Sequence, residues 1–324
     1  MFKIFQTGQV ANLVILTLVF LGVWIVSLLS FGLANIEPYP QLSFLPLAFE
    51  RLGVFTLIIP PIAIFVSFFL LNYWVNQNEL TKTHGFLVLF FGVLIVSGLP
   101  WSYQTTSATI FLLLLVLAIN KMLKLSYPNA NHTDVFDLGF IIGLMSITYL
   151  PSIILLVWVY QILLFLRNFS IREWLMPIIG FSIPVLYLWI QYYLMDWKLP
   201  FFLVDGIFSF SIPTSLNVKG SLWFYTLGLG LVFIMGLAKY FQSIQTRKIR
   251  VRKSLNLLFW LMVYGIIGFI FVKGSFLFLA IMLGVPGAVI LSFFFESNQK
   301  TKLKTYAGWV FVIALILNII QGFI

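Results

Sequence analysis

An all-α fold, a polytopic transmembrane bundle of about eleven segments, is predicted by three features of this sequence. These are its apolar composition, the length of its apolar runs, and the placement of its basic residues. Of 324 residues, 61% are hydrophobic and 9% are charged, and the mean hydropathy is +1.07. A soluble domain carries roughly a quarter charged residues. A water-soluble chain this apolar would have more greasy side chain than its interior could hold, whereas a bilayer accepts an apolar outer shell. The 36 Phe and 10 Trp fit a lipid-facing protein, with Trp favoured near headgroups. The absence of cysteine excludes disulfides, thiolate metal sites, iron–sulfur clusters and a cysteine nucleophile. The two histidines, His84 and His132, fall in predicted loops, which argues against a bis-histidine haem in the membrane. No metal or other cofactor is expected.

The segments follow in order. The run 10–34 is longer than a signal-peptide core and reads as a retained first helix. The run 53–75 is a second full span. The runs 86–99 and 107–119 flank the polar turn Pro100-Trp101-Ser102-Tyr103-Gln104 and predict a short hairpin that does not fully cross. The run 138–166 has 29 residues. As one helix it would be about 43 Å long against a core of about 30 Å. Pro151, preceded by Tyr149 and Leu150, predicts two shorter helices meeting near 149–151. The runs 174–195, 221–240, 255–272, 275–295 and 306–323 complete eleven segments. The stretches between them are too short to build a core of their own. The chain 1–324 therefore reads as one integral membrane domain.

Charge parity agrees with this count. With Lys3 inside and the segments alternating, fifteen of the nineteen basic residues fall inside, and only Arg51, Lys198, Lys219 and Lys273 fall outside. Basic residues favour the cytoplasmic side. Reading 138–166 as a single span would put the basic run Arg247-Lys248-Ile249-Arg250-Val251-Arg252-Lys253 outside. The parity thus supports the break near Pro151 and predicts an N-terminus in and a C-terminus out. The net charge of +10 is accounted for by short basic loops, so nucleic acid is not an expected partner. The lipid bilayer is, and the run 247–253 is placed to meet anionic headgroups.

Candidate chemistry lies mainly in the outer loops. Glu37 follows the first helix, where a carboxylate suits a general base acting on a lipid-linked substrate. The simpler competing reading is a polar residue ending a helix that Pro38 stops. Glu50 and Arg51 are neighbours at the entry to the second helix and also read as interfacial charges. The second outer loop carries Asp196, Lys198, Asp205 and Lys219, with an apolar run 201–210 that suggests an interfacial segment. Asp196 and Lys198 are placed to face Glu37 across an outward cavity, and anchoring by Trp197 and Lys198 at headgroups competes with that reading.

On the inner side, Asp134 and Asp137 read as helix-start residues, favoured by capping and by the helix dipole. His132 with Asp134 is a weak metal pair. Ser170 with Glu173 matches a capping box, and Gly139 with Gly143 reads as close helix packing. No acidic residue lies near the middle of any predicted span, which disfavours an ion or proton path.

Several of these stretches carry a resemblance. The segment 137–144 (Asp-Leu-Gly-Phe-Ile-Ile-Gly-Leu), Tyr149-Leu150-Pro151, Arg172-Glu173-Trp174-Leu175, Pro177-Ile178-Ile179-Gly180, and the tail through Pro286 and Phe293-Phe294-Phe295 resemble a family of uncharacterised polytopic inner-membrane proteins of Bacteroidota. The likeness covers most of the chain and brings no activity with it. A more distant likeness is to the C-type glycosyltransferases, which use polyprenyl-phosphate sugars and carry a catalytic acid in the first outer loop. That likeness implies Glu37 as the catalytic carboxylate, with Glu50 second; beside it, the placement of the outer loops suggests Lys198 or Arg51 to steady a phosphate and Asp196 toward the substrate. The 18-residue loop 35–52 is shorter than that superfamily's, and it lacks a paired-acid motif.

Three functions follow as expectations. The first is an envelope-biogenesis protein of the bacterial inner membrane acting on a polyprenyl-phosphate-linked substrate. The second is a non-catalytic subunit held by other inner-membrane proteins. The third, a transporter or lipid flippase, trails for want of intramembrane charge.

Overall fold

The computed structural model describes residues 5, 8–31, 55–82, 84–97, 106–127, 130–167, 170–194, 220–271, 276–296, 306, 308–310 and 313. Among the described residues every regular element is helical. The α-helices are α1 (Val10–Phe31), α2 (Phe55–Gln77), α3 (Leu87–Ser97), α4 (Thr106–Leu125), α5 (His132–Thr148), α6 (Leu155–Leu166), α7 (Ile171–Leu194), α8 (Gly220–Ile244), α9 (Ile249–Phe271) and α10 (Phe276–Glu296). A 3₁₀ turn, Leu150–Ile154, joins α5 to α6. Three stretches, Ile58–Gln77, Ala108–Leu125 and Ile171–Gln191, are long and apolar enough to cross a membrane. Shorter apolar helices accompany them, including Leu87–Val96 and Ala280–Glu296.

Two differences from expectation concern length. The second arm of the predicted 86–119 hairpin is a full helix: α4 has 20 residues, or about 30 Å. Of the two arms only α3, with 11 residues, is short, and every residue from Leu87 to Val96 is buried. A short, buried apolar helix needs neither to span nor to face lipid. The second difference is at His132, which opens α5 rather than lying in a loop. Similarly, α9 starts at Ile249, so Arg250, Arg252 and Lys253 stand in its first turns.

The break in 138–166 lies where the sequence places it. Tyr149 adopts φ −154° and ψ 103°, an extended conformation, and its N–H still bonds the Met145 carbonyl. Proline then enters at the start of the 3₁₀ turn. It has no N–H to continue an α-helical ladder, and its fixed φ suits the first turn of a new one. The chain reverses there, and Arg167 at the end of α6 returns to the Ala130 carbonyl just before α5.

Close packing joins α5 to α7 more extensively than any other pair of helices. The glycines explain it. A Cβ on Gly139 would land on the Pro177 carbonyl oxygen and 2.6 Å from the Pro177 Cα; one on Gly143 would lie 2.7 Å from the Phe181 carbonyl oxygen. From the other side, a Cβ on Gly180 would strike the Phe136 carbonyl and lie 2.9 Å from the Phe140 nitrogen. The Gly139/Gly143 pair therefore lets two backbones touch.

The interior of the described bundle is apolar. Phe91 of α3 stacks on Phe295 of α10 at 4.8 Å between ring centroids, and Phe111, Leu115, Ile142, Trp158, Leu258 and Val289 are enclosed around them. Buried hydroxyls bond their own helix: Ser67 donates to the Ala63 carbonyl, Ser146 to Gly143 and Ser292 to Val289, each at 2.6 Å. This satisfies a polar group without a partner from elsewhere. Between helices, the Trp158 indole donates to the Leu257 carbonyl at 3.0 Å, and the Tyr240 hydroxyl to the Leu255 carbonyl at 2.5 Å.

Candidate functional site

Glu37, Arg51, Asp196 and Lys198 lie outside the described residues, as do Glu50, Asp205 and Lys219. The described ion pairs gather at one end of the described helices. There the C-termini of α2, α4, α6, α8 and α10 meet the N-termini of α5, α7 and α9 through ion pairs and polar contacts.

Three helices converge on Glu173, in the first turn of α7. Its side chain is only 5% exposed, yet Oε1 lies 2.7 Å from His132 Nδ1 at the start of α5 and 3.7 Å from Arg167 Nη1 at the end of α6. Arg167 Nη2 also donates to the Ala130 carbonyl. The Glu173 N–H reaches Ser170 Oγ at 3.5 Å, so Ser170 serves as the N-cap. The return half of the predicted capping box is absent, because the carboxylate is turned toward His132 and Arg167 instead. A carboxylate beside one imidazole nitrogen fixes the ring and leaves the other nitrogen outward. His132 itself is 54% exposed, so the pair links a buried carboxylate to the surface.

A second cluster lies beside it. Lys121 Nζ of α4 donates to Asp134 Oδ1 at 2.8 Å and Asp137 Oδ2 at 2.6 Å. This corrects the capping expectation: Asn131 occupies the N-cap of α5 without a side-chain bond, and both aspartates point to a cation on α4. Asp134 still sits in the first turn, where a negative charge complements the dipole.

The third cluster receives the basic turn before α9. Lys248 Nζ donates to Glu79 Oε2 at 2.9 Å, and Arg250 reaches the Asn78 carbonyl at 3.4 Å with its guanidinium 4.1 Å from the centre of the Tyr127 ring. The Tyr127 hydroxyl donates to Asn78 Oδ1 at 3.1 Å. The hydrogen bond and charge of Lys248 hold the Glu79 carboxyl below its ordinary value. Arg247 lies 3.8 Å from Glu296 Oε2 and 5.5 Å from the centre of the Phe293 ring. Burial lowers its guanidinium pKa, and Glu296 opposes that shift.

Among the described residues no three metal-ligating side chains gather, so the His132–Asp134 pair gains no third ligand. A small apolar crevice of about 10 Å³ also lies between α1 and α3, lined by Leu16, Phe20, Val23, Phe90, Val93 and Leu94. Comparison with protein-family models, curated proteins and solved structures gives no match.

Proposed function

We propose that this chain is a multi-pass protein of the bacterial inner membrane, with its ion-paired end in the cytoplasm, and that it serves envelope biogenesis by acting on a lipid-linked sugar at the outer face. The observation that supports the reading is the apolar interior of the described bundle, with its ion pairs gathered at one end. A molecule built this way works at its faces. It offers no polar path between them through the described helices, which sets transport behind the other readings. In the outer loops Glu37 acts as the base, Lys198 or Arg51 steadies a phosphate, and Asp196 lies toward the substrate.

The outward side of α7 favours a second reading, a non-catalytic subunit. Leu175, Ile178, Ile179, Ile183, Leu186 and Ile190 are exposed along its length, a surface that suits lipid or another membrane protein. One experiment separates the two. Polyprenyl-linked sugars and surface glycans are profiled in a deletion strain, rescued with the wild-type gene or with Glu37→Gln at equal expression. The enzyme reading expects deletion to accumulate a lipid-linked sugar that wild type clears and Glu37→Gln does not. Unchanged profiles would leave the subunit reading, tested by identifying the proteins that copurify.

A further inference from the structure

We infer that Lys82, Lys124, Arg252 and Lys253 form a headgroup site for anionic phospholipid, at the corner where the end of α2, the end of α4 and the start of α9 meet. The inference rests on the membrane reading above and not on the enzymatic one.

The charge is distributed unevenly. The segments attached to the ion-paired end hold fifteen basic and five acidic residues, and those attached to the opposite end hold four of each, so the whole net charge of +10 belongs to one end. All five of those acids are already engaged. Glu79 holds Lys248, Asp134 and Asp137 share Lys121, Glu173 faces Arg167 and His132, and Glu296 faces Arg247. Among the described residues Lys82, Lys124, Arg252 and Lys253 enter none of these ion pairs.

The contacts already described bring the end of α2, the end of α4 and the start of α9 together, and each of these ends carries one or two of the cations. Arg250 binds Asn78 and Tyr127, and Lys248 binds Glu79. Lys82 is three residues beyond Glu79. Lys124 is in the turn that ends α4, where its carbonyl accepts the Tyr127 N–H at 3.1 Å. Arg252 and Lys253 follow Arg250 directly. All four are exposed. Arg252 and Lys253 stand in the first turns of α9, an unfavourable place within the protein, since cations and the positive end of a helix dipole repel. A phosphate beside them removes that repulsion. An exposed apolar side chain adjoins the basic run at the start of α9: Ile249 is 66% exposed. Cations bordered by apolar surface fit a lipid, which offers a phosphate above and acyl chains below. A soluble acidic partner would have no use for the apolar border.

The test uses the full-length protein in detergent. Its thermal midpoint is read with phosphatidylglycerol, phosphatidylcholine or inorganic phosphate added. Phosphatidylglycerol is expected to raise the midpoint, and the other two are not. The quadruple variant K82Q/K124Q/R252Q/K253Q should lose most of that rise and need about tenfold more lipid or greater to reach half of it. The control K219Q/K273Q, in two loops that the charge parity puts outside, should keep it. If the quadruple variant does not fold, R252Q/K253Q is used, with a smaller loss expected. Equal stabilisation by phosphatidylcholine, a rise with phosphate alone, or an undiminished rise in the variants would overturn the site. Failure of the membrane reading is seen separately, as release of the wild-type protein from membranes by alkaline carbonate.

Discussion

Glu173 and Glu79 place the same carboxylate at the same end of the bundle, and their surroundings give them different roles. Glu173 is buried, and two groups from two other helices depend on it. Replacing it with glutamine leaves Arg167 short of a counter-charge, and hydrogen bonds to charged groups contribute about 1.5–3 kcal/mol. We expect Glu173→Gln to lower stability by about 2 kcal/mol, read from unfolding in a mixed-detergent titration. An unchanged midpoint would remove Glu173 from the centre of the network. Glu79 is exposed and bonded to an exposed lysine, a pair that water screens. Its effect should appear as pH dependence. Because Lys248 lowers its folded pKa below the ordinary 4.5, its contribution is present above that value. It is lost as pH falls through the folded value. The wild-type midpoint should therefore exceed that of Glu79→Gln slightly near neutrality, and the gap should close in acid. A gap that widens in acid would contradict the pairing.

Among the elements, the contact between α5 and α7 makes the firmest demand on sequence. Leucine at Gly139 must displace the backbone of Pro177, and overpacking of this kind costs about 1–3 kcal/mol. Gly230, in α8, has nothing near its missing Cβ. Gly230→Ala should be neutral or stabilising by up to about 1 kcal/mol, through helix propensity alone. Similar losses at both positions would argue against close approach as the role of Gly139. The spacing of Gly139 and Gly143 announces this contact, and Pro151 announces the break before α6, because both act through local backbone geometry. The lengths of α3 and α4 were less legible. Their boundary depends on tertiary cover: α4 carries Asn120, Lys121 and Lys124 inside its last turns, where Asp134 and Asp137 make Lys121 acceptable in a helix. An apolar-run count stops at the first polar residue and misses that extension. His132 and the start of α9 were misjudged for the same reason.

At the scale of the molecule, the sequence shows which segments hold charge but not which charges meet. His132 and Glu173 are 41 residues apart, and Glu79 and Lys248 are 169 apart. Such pairs depend on how helices pack, which no local pattern encodes. What the sequence does specify is parity, and parity has a direct consequence. If 138–166 reverses at Tyr149, reporter tags at positions 129, 168, 245 and 299 should all label from the cytoplasm, and tags at 41, 208 and 274 from outside. If that run instead crossed once, every tag from 168 onward would change side while 129 kept its place. The structure favours the first pattern, because Arg167, at the end of α6, contacts Ala130, just before α5. Two residues that touch cannot be separated by the thickness of a bilayer. Labelling of 129 and 168 from opposite sides would therefore refute this α5–α6 reversal as well as the topology built on it.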